Sequence, residues 1–197
     1  ALRGRAMKVA ILGGTFDPVH IGHLLMADEV LARLGYDQVR FIPTRVPPHK
    51  QDAPAADAGY RVEMLRRAVA DRDEFVVDTF EVEQTGVSYT VRTLKHLADG
   101  GDVSGRPGLI IGEDLVDGFD SWRDADEVAR LADLILVRRP VGGAASFRRP
   151  HTLVENVLVD ISSTEIRERV RTGLRYRYLV PPSVYEYIQS NALYRAS

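Results

Sequence analysis

One stretch near the N-terminus, residues 8–25 with the sequence KVAILGGTFDPVHIGHLL, constrains the fold more than any other. The apolar run Lys8–Leu12 ends at two glycines, which predicts a buried strand followed by a tight turn, because glycine lacks the Cβ that restricts other residues. Apolar residues then recur at helical spacing, which predicts that a helix begins near His20–Gly22. His20 and His23 would lie in the first turn of that helix, where unpaired N–H groups favour anions. The stretch therefore predicts an anion-binding site.

The pair of histidines also has other interpretations. The stretch has neither the Gly-Lys-Ser/Thr ending of a Walker A loop nor a Gly-x-Gly-x-x-Gly dinucleotide turn. Histidines three residues apart can belong to a metal site or simply begin a solvated helix. The chain contains no cysteine, and no third histidine or carboxylate stands at ligand spacing nearby. We therefore favour the anion site and predict no metal site built from protein ligands.

The segment GGTFDPVHIGH resembles the first signature of the nucleotidylyltransferase superfamily, the group with a Thr/His-x-Gly-His motif. With GGTFDP and the HIGH ending, it is most similar to the bacterial nicotinate-mononucleotide adenylyltransferases. The resemblance implies that both histidines are catalytic and stabilise the phosphoryl group during its transfer. It also implies that ATP contacts Gly13, Gly14, Thr15, Phe16, His20 and His23.

Composition limits the class of protein. A chain of 197 residues with 45% hydrophobic content is long enough for one domain with a substantial core. A formal net charge of −2 gives no general attraction to nucleic acid or to a membrane surface. The lack of cysteine excludes disulfides and thiolate nucleophiles and fits a cytoplasmic protein. We predict a single domain over residues 7–195, with residues 1–6 as an N-terminal extension or cloning remnant.

Apolar runs alternate with amphipathic stretches, which predicts an α/β fold: a Rossmann-like, doubly wound parallel sheet with helices on both faces. Ligands bind such a sheet beyond the carboxyl ends of its strands. The predicted strands are Lys8–Leu12, Gln38–Pro43, Phe75–Val77, Leu109–Ile111, Leu134–Val137 and Val157–Val159. The predicted helices are Ile21–Leu34, Gly59–Ala70, Tyr89–Ala98, Ala125–Leu131, Ser163–Thr172 and Pro182–Ser190.

A basic segment, PTRVPPHK, follows the second predicted strand and ends at Lys50. Its prolines stiffen the chain, so Lys50 is either part of a solvated loop or a point charge that reaches a phosphate. The PPHK sequence is similar to a segment of the adenylyltransferases, and that resemblance implies that Lys50 binds the triphosphate of ATP.

Three segments resemble the part of the family's site that binds nicotinate mononucleotide. In GVSYTVRTL, Ser88 is a plausible helix cap, and the resemblance implies that Thr90 meets the nicotinate carboxylate, mainly through its main chain. In IGED and the tryptophan that follows, Asp114 and Trp122 are implied to bind the nucleotide, although Glu113 stands where the family usually has a small residue. In LILVRRP, the family has Arg-Pro, which implies that Arg139 is a further contact.

The segment ISSTEIR, Ile161–Arg167, resembles the superfamily's second signature. Helix capping alone explains its Ser/Thr cluster, but it does not explain an arginine near the helix N-terminus, where the dipole disfavours a cation. A bound anion removes this conflict. The resemblance implies that Arg167 is catalytic and that ATP contacts Ile161, Ser162, Ser163 and Arg167.

Taken together, the motifs imply adenylyl transfer from ATP to nicotinate mononucleotide, giving deamido-NAD and pyrophosphate, with Mg²⁺ carried mainly by the phosphates. No covalent nucleophile is required. The alternatives are an adenylyltransferase acting on nicotinamide mononucleotide or phosphopantetheine and, from a different class, a nucleotide sensor without turnover. The sequence leaves the oligomeric state open, and a homo-oligomer is compatible with it.

Overall fold

The computed structural model describes residues 6–46, 55–138 and 147–196. Strands and helices alternate along the chain, as the sequence predicts. The strands are β1 (Val9–Gly14), β2 (Gln38–Pro43), β3 (Phe75–Val77), β4 (Gly108–Gly112), β5 (Asp133–Val137) and β6 (Thr152–Val154). The helices are α1 (Ile21–Leu34), α2 (Ala58–Ala68), α3 (Phe80–Glu83), α4 (Thr90–Gly100), α5 (Ala125–Leu131), α6 (Ser163–Arg171) and α7 (Pro182–Ser190), with a 3₁₀ helix at Glu113–Ser121.

The six strands form one sheet in the order β3-β2-β1-β4-β5-β6, and every pair of neighbours is parallel. The chain builds outward from β1 to β3, then crosses back and places β4 on the other side of β1. Such a reversal opens a crevice beyond the carboxyl ends of the two central strands. The Rossmann-like, doubly wound sheet predicted from the sequence is confirmed.

Helices cover both faces of the sheet because the side chains of each buried strand alternate between two apolar cores. Ala10 and Leu12 of β1 belong to the core that also contains residues of α1, α2, α6 and α7. Val9 and Ile11 belong to the opposite core, which contains residues of α4, α5 and the 3₁₀ helix. No helix in the described parts of the chain is long and apolar enough to cross a membrane.

The prediction of a last strand at Val157–Val159 is wrong. The strand lies earlier, at Thr152–Val154, and pairs with β5 through Ile135, Leu136 and Val137. The side-chain amide of Asn156 then accepts from the N–H of Arg138 and donates to its carbonyl at 2.7 and 3.2 Å. The side chain of Asn156 thus takes the backbone hydrogen bonds of Arg138 that a continuing strand would use. The apolar residues that follow, 157–159, leave the sheet and lie exposed or partly exposed.

Other differences concern short elements and helix ends. The sequence prediction missed α3, which is too short to show a clear helical period, and the 3₁₀ helix, which has three residues per turn and so lacks the 3.6-residue period of an α-helix. Tyr89, not Ser88, is the residue at the N-cap of α4, because the Ser88 hydroxyl instead accepts the backbone N–H of Arg45 at 3.0 Å. The predicted single-domain range of 7–195 stays a prediction.

Replacing Gly108 by alanine tests the packing at the start of β4. A Cβ at this position would lie 2.5 Å from Tyr36 Oη and 2.6 Å from Ile135 Cδ1, well inside van der Waals contact. We expect Gly108→Ala to lower the free energy of unfolding by about 1–3 kcal/mol, as overpacking does in other cores. Urea unfolding followed by circular dichroism measures the change.

Gly59→Ala is the matched control, because Gly59 lies in α2 and a Cβ there would meet nothing within 4 Å. Alanine should leave stability unchanged or raise it by roughly 0.5–1 kcal/mol. A Gly108→Ala protein as stable as the parent would contradict the packing described for β4.

Candidate active site

The loop between β1 and α1 holds the two histidines in a fixed arrangement. His20 is the N-cap of α1, with φ −141° and ψ 170°, and its side chain is buried. The backbone N–H of His20 donates to Nδ1 of His23 at 3.2 Å. Because Nδ1 of His23 accepts this bond, the proton of the neutral ring lies on Nε2.

Aromatic contacts fix both imidazole rings. The ring centroids of His20 and His23 are 3.7 Å apart with an interplanar angle of 26°, so the rings stack. Phe16 meets His23 edge-on at 4.9 Å between centroids. Phe16 adopts φ +50°, a left-handed conformation that is costly for a bulky residue. The fold therefore maintains a strained residue directly behind the histidine pair.

Gly22, which lies between the two histidines in sequence, leaves room for the imidazole of His20. A Cβ on Gly22 would lie 3.1 Å from both Cε1 and Nδ1 of His20. This is closer than an ordinary van der Waals contact, so any larger residue would push the imidazole of His20 away from its position. Gly22 is therefore needed for the placement of His20.

The N-terminal end of α6 docks onto the same β1–α1 loop. Ser163 Oγ donates to the carbonyl of Pro18 at 2.8 Å, and Arg167 Nη1 donates to the carbonyl of Asp17 at 2.7 Å. A second guanidinium nitrogen of Arg167 donates to Thr164 Oγ1 at 3.2 Å. The arginine of the last motif thus lies against the loop that carries the two histidines.

The other residues predicted in this last motif have mainly structural contacts. Ser162 is the N-cap of α6 and accepts the backbone N–H of Glu165 at 3.1 Å. Ile161 is partly buried and packs against the core on the α1 face. Both stay predicted ATP contacts.

A buried polar network links the β1–α1 loop to residues that are distant in sequence. The Asp17 carboxylate accepts the backbone N–H groups of Ala55 and Ala56 at 2.7 and 3.2 Å, and the Tyr194 hydroxyl donates to it at 2.7 Å. The guanidinium of Arg61, which is only 1% exposed, donates to the carbonyls of Thr15, Thr44 and Ala56.

The pKa values of this network reflect its burial. Burial raises the pKa of Tyr194, and the nearby charge of Asp17 raises it further, so the phenol remains a hydrogen-bond donor. Burial lowers the pKa of Arg61, while Asp17 opposes that shift. Asp17 and Arg61 therefore lie close enough for the carboxylate to affect the pKa of the guanidinium.

A cavity with mostly apolar walls opens at the switch point of the sheet. Its floor comes from β1 and β4, through Ile11, Leu109 and Ile110. Its walls contain residues from three motifs of the sequence analysis: GGTFDP, GVSYTVRTL, and the tryptophan that follows IGED. The predicted site residues that line it are Gly13, Gly14, Thr15, Thr90 and Trp122.

Trp122 and Asp114 differ in their relation to this cavity. Trp122 is partly buried, packs against Phe119 at 5.0 Å between centroids, and contributes to the cavity wall. Asp114 lies on the 3₁₀ helix, is exposed, and does not line the cavity. Arg149 pairs with Asp120 of the 3₁₀ helix at 2.7 Å and with Asp126 of α5 at 2.8 Å.

Two predicted site residues, Lys50 and Arg139, lie outside the described residues. Conversely, sequence reasoning missed Glu81 and Thr93, which line the cavity. Glu81 lies in the stretch DTFEVEQ, which resembles an ordinary charged surface segment, and Thr93 lies within the predicted helix Tyr89–Ala98 without a signal of its own. Burial raises the pKa of Glu81, and Asp78 adds to the shift, whereas the hydrogen bond from Thr93 and the nearby Ser88 hydroxyl oppose it.

The chain is similar to known proteins in sequence and in fold. Residues 11–169 match the cytidylyltransferase-like family. A probable nicotinate-nucleotide adenylyltransferase of Treponema pallidum (strain Nichols) is 39% identical and covers 96% of this chain and 100% of its own length. A relative with the same name in Geobacillus kaustophilus is 42% identical, covering 96% of this chain and 87% of its own.

A solved structure shows the same fold. The Plasmodium falciparum nicotinic acid mononucleotide adenylyltransferase in complex with NaAD has a TM-score of 0.75 at 17% identity, over 94% of this chain and 96% of that chain. The family resemblance recognised in the sequence is confirmed. The chain belongs to the cytidylyltransferase-like family and, within it, to the nicotinate-nucleotide adenylyltransferases.

Proposed function

We propose that the protein transfers the adenylyl group of ATP to nicotinate mononucleotide. The 5′-phosphate oxygen of the mononucleotide attacks the α-phosphorus of ATP, the bond to the bridging oxygen breaks, and pyrophosphate leaves with that electron pair. The observation that carries the proposal is the docking of Arg167 on the loop of the two histidines, beside the cavity at the switch point.

The histidines are suited to bind the transferring phosphoryl group. Reactions of this kind depend mainly on positioning and on neutralising charge, with little covalent chemistry for the protein. A neutral His23 whose Nδ1 already accepts a bond presents its proton on Nε2, the geometry of a directional donor to a phosphate oxygen. Its stacking on His20 keeps that donor in place before the substrates arrive.

The cavity is suited to the pyridine ring. Trp122 provides an aromatic surface in a mostly apolar wall, which favours a flat heteroaromatic ring. Thr90 is the first residue of α4, so its backbone N–H is among those without a partner in the helix and can donate to a carboxylate. Asp114, Lys50 and Arg139 stay proposed contacts on the strength of the resemblance alone.

We also propose that Mg²⁺ accompanies ATP. In the described parts of the chain, no three His, Asp or Glu side chains are grouped so that they could hold a metal ion. Mg²⁺ commonly keeps several waters and binds through substrate phosphates with few protein ligands, which fits this arrangement. When bound, the ion would neutralise charge on the leaving phosphates.

A cysteine-free chain also agrees with our proposal of a cytoplasmic enzyme.

A pyrophosphate-release assay with ATP and each acceptor in parallel tests the function. Nicotinate mononucleotide should give the highest kcat/KM, followed by nicotinamide mononucleotide, with no turnover of phosphopantetheine. Backbone donors at the start of α4 favour the charged carboxylate over the neutral amide. Binding of ATP without turnover of any acceptor would instead identify a nucleotide sensor.

Removal of the His23 imidazole tests the phosphate-binding role. We expect His23→Ala to lower kcat by about 10²-fold or more, the usual effect of losing one donor to a developing charge. Steady-state kinetics measure this change, and circular dichroism shows whether the variant is folded. The control is His151→Ala, which removes an exposed imidazole. A folded His23→Ala protein with the kcat of the parent would exclude the role.

Gly22→Ala tests whether the placement of His20 matters. The added Cβ would press on the imidazole at 3.1 Å, while alanine itself suits the helix. We therefore expect kcat to fall by roughly tenfold or more with little loss of stability, because small displacements at a reacting centre are costly. Kinetics and thermal unfolding are measured together, with Gly59→Ala as the control. An unchanged kcat would show that His20 tolerates displacement.

A further inference from the structure

The cavity at the switch point contains a carboxyl group that the proposed mechanism does not use. Glu81, on α3, is 7% exposed and lines the cavity together with Thr90 and Trp122. Its Oε1 accepts from Thr93 Oγ1 at 2.6 Å. Its Oε2 is buried and has no hydrogen-bond partner among the described residues. A buried polar atom of this kind is uncommon and points to a ligand or to an altered protonation state.

We propose that Glu81 determines specificity for the substituent on the pyridine ring, favouring the carboxylate when it is protonated and the carboxamide when it is ionised. The proposal rests on the proposed function, since it requires the pyridine ring to occupy this cavity. It assigns a role in substrate choice to a residue that the motifs did not identify.

The chemistry follows from the donors and acceptors of each form. A protonated carboxyl group has an O–H that can donate to the carboxylate of nicotinate mononucleotide. An ionised carboxylate only accepts, so it would accept from the NH₂ of nicotinamide mononucleotide and repel the acid. Repulsion between two carboxylates is strong in a cavity with apolar walls, where the local dielectric is low. The preference for nicotinate mononucleotide over nicotinamide mononucleotide should therefore weaken as the pH rises.

The surroundings of Glu81 favour a titration at higher pH than for an exposed glutamate. Burial raises its pKa and the charge of Asp78 raises it further, while the hydrogen bond from Thr93 and the nearby Ser88 hydroxyl lower it. Among the described residues, the other titratable or charged side chains on the elements around it include Arg45, Glu83, Tyr89, His96 and Arg123.

The test is the ratio of kcat/KM for nicotinate mononucleotide to kcat/KM for nicotinamide mononucleotide, measured from about pH 6 to about pH 9. Both acceptors carry the same 5′-phosphate and both react with ATP, so titrations of those groups and of the catalytic residues cancel in the ratio. We expect the ratio to fall roughly tenfold across this range in the parent protein. In Glu81→Gln the ratio should be nearly constant, because an amide offers a donor and an acceptor at every pH.

Two controls separate Glu81 from its neighbours. Glu83→Gln removes the same charge from the same short helix at an exposed position, and His96→Gln removes the imidazole that stacks on Phe80. Both should keep the pH dependence of the parent. Loss of the dependence in either control, with Glu81→Gln behaving like the parent, would overturn the proposal.

Thr93→Val gives an independent test if Glu81→Gln does not fold. The substitution is close in shape and removes the hydroxyl that stabilises the ionised form. The midpoint of the change in the ratio should therefore move to higher pH, which a purely structural role for Glu81 would not produce. A constant ratio in the parent, or an unmoved midpoint in Thr93→Val, would overturn the proposal. Absence of turnover with both mononucleotides would instead contradict the proposed function.

Discussion

The buried Asp17 carboxylate joins the segments from which the candidate site is built. It accepts backbone N–H groups from residues that precede α2 and the hydroxyl of Tyr194 near the end of the chain. Arg61, close by, bonds to the carbonyls that follow β1 and β2. Removing one member of such a network leaves a buried polar group without a hydrogen-bond partner, which typically costs about 1–3 kcal/mol and more where the group is charged. The shape of the β1–α1 loop thus depends on this carboxylate and on partners far away in sequence.

The rest of the site follows from that loop, because two different binding regions share it. One side of the loop presents His20 and His23 and receives Arg167 from α6. The other side, Gly13 to Thr15, forms a wall of the cavity at the switch point of the sheet. An adenylyl transfer requires two nucleotides to meet in a defined orientation, and a single segment between the two proposed sites would position both reactants at once.

Local sequence signals predicted the parts of this arrangement that depend on neighbouring residues. The start of α1 after His20 is correct because a glycine turn and a change of hydrophobic period mark it. The last strand was misplaced because the Asn156 amide, a contact from outside the apolar run, decides where the ladder ends. Arg61 and Glu81 could not be recognised as buried, since their burial depends on carbonyls and hydroxyls that only the folded chain brings near.

The arginines of α6 show how the fold directs charge toward a substrate. Arg169 binds Glu165 at 2.8 Å, and Arg171 also pairs with a carboxylate on the same helix. Arg167 instead contacts a carbonyl and a hydroxyl, and within residues 6–46, 55–138 and 147–196 no carboxylate is in ion-pair contact with it. Its contact with Asp17 is through the backbone carbonyl of that residue, whose carboxylate bonds to Tyr194 and to two backbone amides. Among the described residues the guanidinium beside the histidines thus has no carboxylate as a direct ion-pair partner, which fits the proposed contact with a polyphosphate.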